Sequence, residues 1–201
     1  MNLKDNSVDY VFIDPPHTNR ILYVEQSEMW NAWLKLDNKV CFDDEIVVSE
    51  AKQRNKNVND YLLSMESVFS EIQRVLKQNK MFSFAFNCLD DVVWINILNL
   101  FFKYGFQIES VVLLEYSATS VIQDTRKNAL KTDFVFTFKN TKQNSKNKIS
   151  ICSDLNKLKE EIEKIKQYKD DVKTYEIINE LFVKSIPNGY IYKISDIVKN
   201  V

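Results

Sequence analysis

An apolar run that ends at two adjacent prolines is the strongest constraint on how this chain can fold. Residues 8–13 (VDYVFI) are apolar and β-prone, and Asp14 is followed directly by Pro15 and Pro16. Proline has no backbone N–H, so a paired strand cannot continue through two of them. The pattern therefore predicts a buried strand whose carboxyl end opens into a loop at Asp14.

Helical and strand patterns alternate over the rest of the first 140 residues. The predicted helices span residues 25–36, 60–77 and 89–104, and the further predicted strands span 80–86, 106–116 and 133–139. Asn59 or Asp60 is the predicted N-cap of the second helix, and Gly105 the left-handed residue that ends the third. The order predicts parallel strand–helix units that end in an antiparallel pair.

Such an order is typical of an α/β fold with one half of a doubly wound sheet. Ligands of these sheets bind outside the carboxyl ends of the strands. Residues 14–17 follow the first predicted strand, and Asn87 follows the strand at 80–86. We therefore expect the two segments to face one crevice.

Charge, cysteine and histidine content limit the possible functions. The formal net charge is -1, so a nucleic-acid surface must be a local patch and not a field over the whole molecule. Cys41, Cys88 and Cys152 are far apart and the chain has one histidine, which indicates neither a zinc site nor a disulfide framework. The chain has no signal-peptide core and no apolar run of about 20 residues. We expect a cytoplasmic protein that does not enter a membrane.

The DPPH segment resembles motif IV, D-P-P-[Y/F/W], of the S-adenosylmethionine-dependent amino-methyltransferases that make N6-methyladenine or N4-methylcytosine in DNA. The similarity includes SVDYVFIDPP, Y-x-E and W-x-A-W-L, and then RVLK, Phe86 with Asn87, GF and KTD, in the family's order between residues 7 and 133. The resemblance implies the C-terminal half of a Rossmann-like methyltransferase sheet with a helical tail. It also implies DNA as substrate, S-adenosylmethionine as cofactor and a place in a restriction-modification system.

The resemblance assigns chemistry to the loop. An exocyclic amino group delocalises its lone pair into the base, so an enzyme must accept its hydrogen bonds and hold it in line with the methyl donor. Asp14 and the carbonyl of Pro15 would be these acceptors, on a backbone that Pro16 stiffens. The family's fourth motif residue stacks on the flipped base. Here that position is His17, a smaller ring that can carry charge, with Tyr23 as an assisting aromatic residue.

Other site predictions follow from position. Asp14 and Asn87 are predicted cofactor contacts, although an Asn at a strand end can instead cap the next helix. Two polar loops supply the remaining predicted substrate contacts, which are Lys52, Arg54 and Gln123. Basic clusters of this kind are also found on solvated surfaces. Trp30 and Trp33 lie at helical spacing and are predicted to belong to the core.

The largest departure from the family is an absence. Its members carry a Gly-rich F-x-G-x-G turn that approaches the cofactor, whereas this chain contains only Gly105 and Gly189. The predicted strand order also lacks three strands of the cofactor half. We therefore expect an enzyme that is incomplete and inactive alone, with its N-terminal half or another chain as partner.

The composition changes after residue 140. We predict a methyltransferase part over 1–140, a polar linker over 141–153 and a helical appendage over 154–201. Helices are expected at 154–171, at 174–185 and from residue 195, with a turn at 187–189. The appendage could dock on the sheet or contact DNA, and docking is the simpler interpretation.

Two other functions stay open at this point. Related loops can serve any planar nitrogen nucleophile, so RNA guanine-N2 methylation is one alternative. A non-catalytic half-domain that acts as an interaction module is the other.

Overall fold

The computed structural model describes residues 2–36, 42–114, 132–143, 148–168 and 171–201. The N-terminal elements are β1 (Val8–Ile13), α1 (Tyr23–Trp33), α2 (Val58–Val75), β2 (Leu76–Phe86), α3 (Asp91–Lys103), β3 (Phe106–Leu114) and β4 (Asp133–Asn140). The C-terminal elements are β5 (Ser150–Ile151), α4 (Leu155–Tyr168), α5 (Thr174–Ser185), β6 (Tyr190–Ile191) and α6 (Ile194–Asn200). The fold is α/β, as predicted.

The main sheet has the strand order β1-β2-β4-β3. β1 runs parallel to β2 with Ile13 opposite Phe84, while β4 is antiparallel to both β2 and β3. The predicted parallel unit that ends in an antiparallel pair is therefore confirmed. Because β4 runs in the opposite direction, its first residue, Asp133, lies at the same edge as the carboxyl ends of β1 and β2.

Alternate residues of β2 and β4 form the core beneath the helices. The fully buried rings are Phe82, Phe84 and Phe86 from β2, and Phe134, Phe136 and Phe138 from β4. Strand side chains alternate between faces, so these rings share one face of the sheet. Phe101 of α3 stacks on Phe138 with ring centroids 4.0 Å apart, and Phe69 of α2 contacts Phe84 at 5.6 Å. These contacts hold α2 and α3 against that face.

β1 is less buried than predicted. Tyr10 and Phe12 are each 55% exposed, and Val8, Val11 and Ile13 are only partly buried. Among the described residues β1 pairs only with β2, so it forms an edge of the sheet. Its second face, which carries Tyr10 and Phe12, has no covering helix in the described part of the chain. The apolar pattern identified the strand correctly, but its burial was overestimated.

Local signals set most element boundaries, with one correction. The N-cap of α2 is Asn57, not Asn59 or Asp60. Its Oδ1 accepts the backbone N–H of Asn59 at 2.8 Å, and the Asp60 carboxylate accepts the N–H of Asn57 at 2.9 Å. This reciprocal capping box explains why the helix begins earlier than predicted. Gly105 has the expected left-handed φ of +73°, and a Cβ there would lie 2.8 Å from the carbonyl oxygen of Gln143.

The C-terminal helices pack against the main sheet. Phe182 of α5 meets Trp94 of α3 with ring centroids 5.5 Å apart, and both rings are fully buried. The N–H of Ile194 donates to Asp91 Oδ1 at 2.7 Å. The residues after 154 thus share a core with α3, while the domain boundaries stay a prediction. In the described part of the chain, no helix is both long and apolar enough to span a bilayer.

Candidate active site

The carboxyl end of β1 opens into a polar cleft. We call residues 14–17 the DPPH loop. The Asp14 side chain is 61% exposed at the mouth of a cavity of about 190 Å³. The residues that line this cavity are Asp14, Pro15, His17, Arg20, Ile21, Tyr23 and Asp133. The structure thus brings together the predicted residues Asp14, Pro15, His17 and Tyr23.

Tyr61 of α2 fixes the backbone of the DPPH loop. Its hydroxyl donates to the carbonyl oxygen of Pro16 at 2.8 Å, and the N–H of Thr18 donates to the same oxygen at 3.1 Å. Tyr61 is fully buried, and this burial raises its pKa, so the hydroxyl stays a donor. Two donors therefore already use the Pro16 carbonyl. This leaves the Pro15 carbonyl as the better candidate to accept a bond from a substrate.

His17 is turned toward the protein. Its side chain is 11% exposed, and its ring meets Phe86 edge to face with centroids 5.3 Å apart. Its Nε2 atom lies 3.1 Å from Oδ1 of Asp14, at ion-pair distance but without hydrogen-bond alignment. Burial is the main influence and lowers the pKa of His17, and Arg20 acts in the same direction. The carboxylates of Asp133 and Asp14 oppose this shift.

Asn87 lies at the predicted edge but makes a structural bond. It is fully buried, and its Nδ2 donates to the carbonyl of Thr132 at 2.7 Å. This bond joins the end of β2 to the start of β4. Asn87 is not the N-cap of α3, because Asp90 Oδ1 accepts the N–H groups of Val92 and Val93. Cofactor contact by Asn87 stays a prediction.

Arg54 and Lys52 have different environments. The guanidinium of Arg54 pairs with Glu45 Oε2 at 2.5 Å and with Glu25, and it lies 4.6 Å above the ring of Phe42. Its side chain is only 2% exposed, so this placement does not favour phosphate contact. Lys52 is exposed. DNA contact by Lys52 therefore stays a prediction, and Gln123 lies outside the described residues.

The prediction that Trp30 and Trp33 belong to the core was wrong. They are 56% and 72% exposed, and their rings contact each other edge to face at 5.8 Å. No residue of α1 is buried. A spacing of three residues places two side chains on one face of a helix but does not show that this face is covered.

Several residues of the site were missed from the sequence. Tyr61 and Asp133 belong to a helix and a strand that were predicted, yet neither was assigned to the cleft. Asp133 could have been found, because the start of an antiparallel strand lies beside the ends of parallel ones. The bond from Tyr61 to Pro16 joins residues 45 positions apart and carries no local signal.

Comparison with known proteins gives a family match and distant structural similarities. The model of a family described as DNA methylase (N6_N4_Mtase) matches residues 8–196. A Thermus thermophilus protein described as a DNA modification methylase is 11% identical, with a TM-score of 0.39, over 79% of this chain and 53% of its own. The cytosine-N4-specific PvuII DNA methyltransferase is 11% identical, with a TM-score of 0.43, over 73% of this chain and 46% of its own. The chain therefore spans about half the length of these proteins. No functionally curated protein matches it.

Proposed function

Because the chain belongs to the DNA methylase family, we propose that it provides the amine-orienting part of a DNA methyltransferase. The reaction transfers a methyl group from S-adenosylmethionine to the exocyclic amino group of adenine or cytosine in DNA. Asp14 and the carbonyl of Pro15 accept the hydrogen bonds of that amine. His17 and Tyr23 are the predicted stacking residues, and the exposure of Tyr23 favours it over the inward-facing His17. DNA contact by Lys52 belongs to the same proposal.

The observation that carries this proposal is that the DPPH loop combines an exposed carboxylate with a fixed backbone. Asp14 offers an exposed carboxylate, and the neighbouring proline backbone is held by the bond from Tyr61 to Pro16. Acceptors that are fixed before the substrate arrives need little reorganisation during the reaction. An amine held between a carboxylate and a carbonyl keeps its lone pair aimed at the methyl donor. This arrangement supports methyl transfer to nitrogen.

The described residues show no Gly-rich turn at the cleft, which supports the proposal that this chain supplies only part of the site for S-adenosylmethionine. Gly105 ends α3 and its Cα lies against the backbone of Gln143, while Gly189 lies in the C-terminal turn before β6. Neither lines the cleft at Asp14. We therefore propose that a partner supplies the close backbone approach to the cofactor.

The exposed edge of β1 supports such a partner. Tyr10 and Phe12 leave more than half of their side chains in solvent. The outer edge of a strand has free backbone donors and acceptors and readily pairs with another strand. We propose that the missing half of the methyltransferase, or another chain that carries it, pairs with β1 and completes the cofactor site.

Nucleoside analysis of the complemented enzyme tests the proposed function. The chain is combined with its cofactor-binding half, DNA and RNA are offered separately, and the digested products are analysed by mass spectrometry. We expect N6-methyldeoxyadenosine or N4-methyldeoxycytidine from DNA. Methylated guanosine from RNA alone would favour the RNA enzyme instead. Binding of the partner without any methylated nucleoside would favour the interaction module.

A further inference from the structure

The DPPH loop contains a titratable pair at a position where the family motif has a neutral aromatic ring. The Nε2 atom of His17 is buried and lies 3.1 Å from the exposed carboxylate of Asp14. One end of the pair thus faces the cleft and the other lies inside the protein. The imidazole is the only one in the chain.

We propose that Asp14 and His17 act as a dyad that removes the proton from the newly methylated amine. This inference rests on the function proposed above and gives His17 a role other than base stacking. Asp14 contacts the amine, and His17 acts through Asp14 as a positioning and proton-accepting residue.

The proton balance of the step is simple. Methylation leaves the exocyclic nitrogen with a positive charge and with one hydrogen too many. The N–H bond breaks, and its electron pair stays on nitrogen and restores conjugation with the base. The proton moves to a carboxylate oxygen of Asp14 and then to Nε2 of His17. After the product leaves, the proton returns from the buried Nε2 to the exposed carboxylate of Asp14 and passes from there to water, so the dyad returns to its starting state.

The surroundings of His17 keep it ready to accept a proton. Burial lowers its pKa from the usual value of 6.5, so the imidazole is neutral at neutral pH. The charged groups that face it are Asp14 in the DPPH loop, Asp133 at the start of β4 and Arg20 after the loop. The two carboxylates stabilise the imidazolium once it forms. Phe86 of β2 packs against the ring and holds its orientation.

The same contacts argue against stacking on a base. Only 11% of the His17 side chain is exposed, and Phe86 meets the ring at an interplanar angle of 79°. A base would need the ring to leave both Phe86 and Asp14. Tyr23 is 48% exposed and lines the same cleft, so it is the better aromatic candidate for a flipped base.

A histidine titration followed by NMR tests the coupling in the isolated chain. With a single imidazole the signal needs no assignment. We expect a midpoint below 6.5 in the wild type and a further decrease in Asp14→Asn, because the carboxylate that stabilises the imidazolium is gone. The matched control is Asp9→Asn, which removes an exposed carboxylate of β1 that pairs with Lys77 and Lys80. It should leave the midpoint unchanged.

The pH dependence of methylation tests the role. In the complemented enzyme, His17→Phe keeps an aromatic ring of the family type but cannot take up a proton. We expect kcat to fall about a hundredfold at neutral pH and the acidic limb of the wild-type profile to disappear. His17→Gln should show the same two changes.

Different results overturn different claims. A His17→Phe enzyme with unchanged kcat and pH profile would overturn the dyad in favour of stacking or of a spacer. An unmoved midpoint in Asp14→Asn would overturn the dyad alone. Absence of any methylated nucleoside from the wild type would overturn the proposed function and the dyad with it.

Discussion

Tyr61 shows how one buried hydroxyl can determine the geometry of a site on a neighbouring loop. Its bond to the Pro16 carbonyl connects α2 with the DPPH loop. We expect Tyr61→Phe to lower the free energy of unfolding by about 1 kcal/mol and to reduce methyl transfer, because the loop loses one of its two fixed donors. The control is Tyr104→Phe, which removes a hydroxyl bonded to Glu66 far from the loop. Urea denaturation and nucleoside analysis measure the two effects, and equal methylation by both variants would contradict this role for Tyr61.

The lowered pKa of His17 also leads to a prediction about the pH dependence of stability. Its pKa is lowered in the folded protein, so the unfolded chain binds the proton more tightly. The neutral ring therefore stabilises the folded protein above pH 6.5, the ordinary pKa of histidine in an unfolded chain. This stabilisation is lost as the pH falls from 6.5 through the lower pKa of the folded state. We expect the free energy of unfolding of the wild type to decrease more than that of His17→Gln between pH 7.5 and 5.5. Parallel decreases in the two proteins would show that the imidazole titrates normally.

At the scale of elements, ion pairs and a hydrogen bond hold α1 in place, because none of its residues is buried. Arg54 joins Glu25 of α1 to Glu45, and Glu45 Oε1 also accepts the N–H of Val24 at 3.1 Å. We expect Arg54→Ala to destabilise the protein by about 3 kcal/mol, because Glu45 is left buried without its cation. Arg74→Ala, which breaks partly exposed pairs with Glu71 and Asp5, should have a smaller effect. Urea denaturation measures both variants. Equal losses in the free energy of unfolding would contradict this account of α1.

The predicted elements were correct where the sequence carries a periodic signal. The helix at 174–185 and the start of β4 at Asp133 agree with the structure, since apolar spacing and strand pattern are local properties. β2 begins at Leu76 and not at residue 80, because α2 passes into it without a turn residue. The burial of Trp30 and Trp33 could not be predicted, since it depends on which surfaces other elements cover. The same limit applies to Arg54, whose partners lie 9 and 29 residues away.

At the scale of the whole molecule, the edge of β1, which is unpaired among the described residues, and its exposed apolar face predict association with another chain. We expect the isolated chain to self-associate and to bind S-adenosylmethionine weakly or not at all. A charge in the exposed face, as in Phe12→Lys, should reduce self-association, whereas Leu63→Lys on the exposed side of α2 should not. Light scattering and calorimetry measure the two properties. Micromolar cofactor binding by a monomer would contradict the idea of an incomplete site.

The sequence predicted the α/β order and the cluster at the end of β1 because both depend on motif and topology. It did not predict which hydrogen-bond donors would already bind the carbonyl groups of the DPPH loop. That Tyr61 uses the Pro16 carbonyl and that His17 faces Phe86 follow from packing between distant segments. These contacts change the expected role of His17 and select Pro15 over Pro16 as acceptor.

Methyl transfer by Asp14→Ala in the complemented enzyme tests the central claim most directly. Asp14 acts on the amine mainly in the transition state, so kcat should fall at least about a hundredfold, on the order seen when one such acceptor or donor is removed, while DNA affinity stays nearly unchanged. Asp9→Ala, on the strand that precedes Asp14 and paired with Lys77 and Lys80, should keep normal turnover. Near-normal turnover by Asp14→Ala would contradict the assignment of Asp14 as the group that orients the amine.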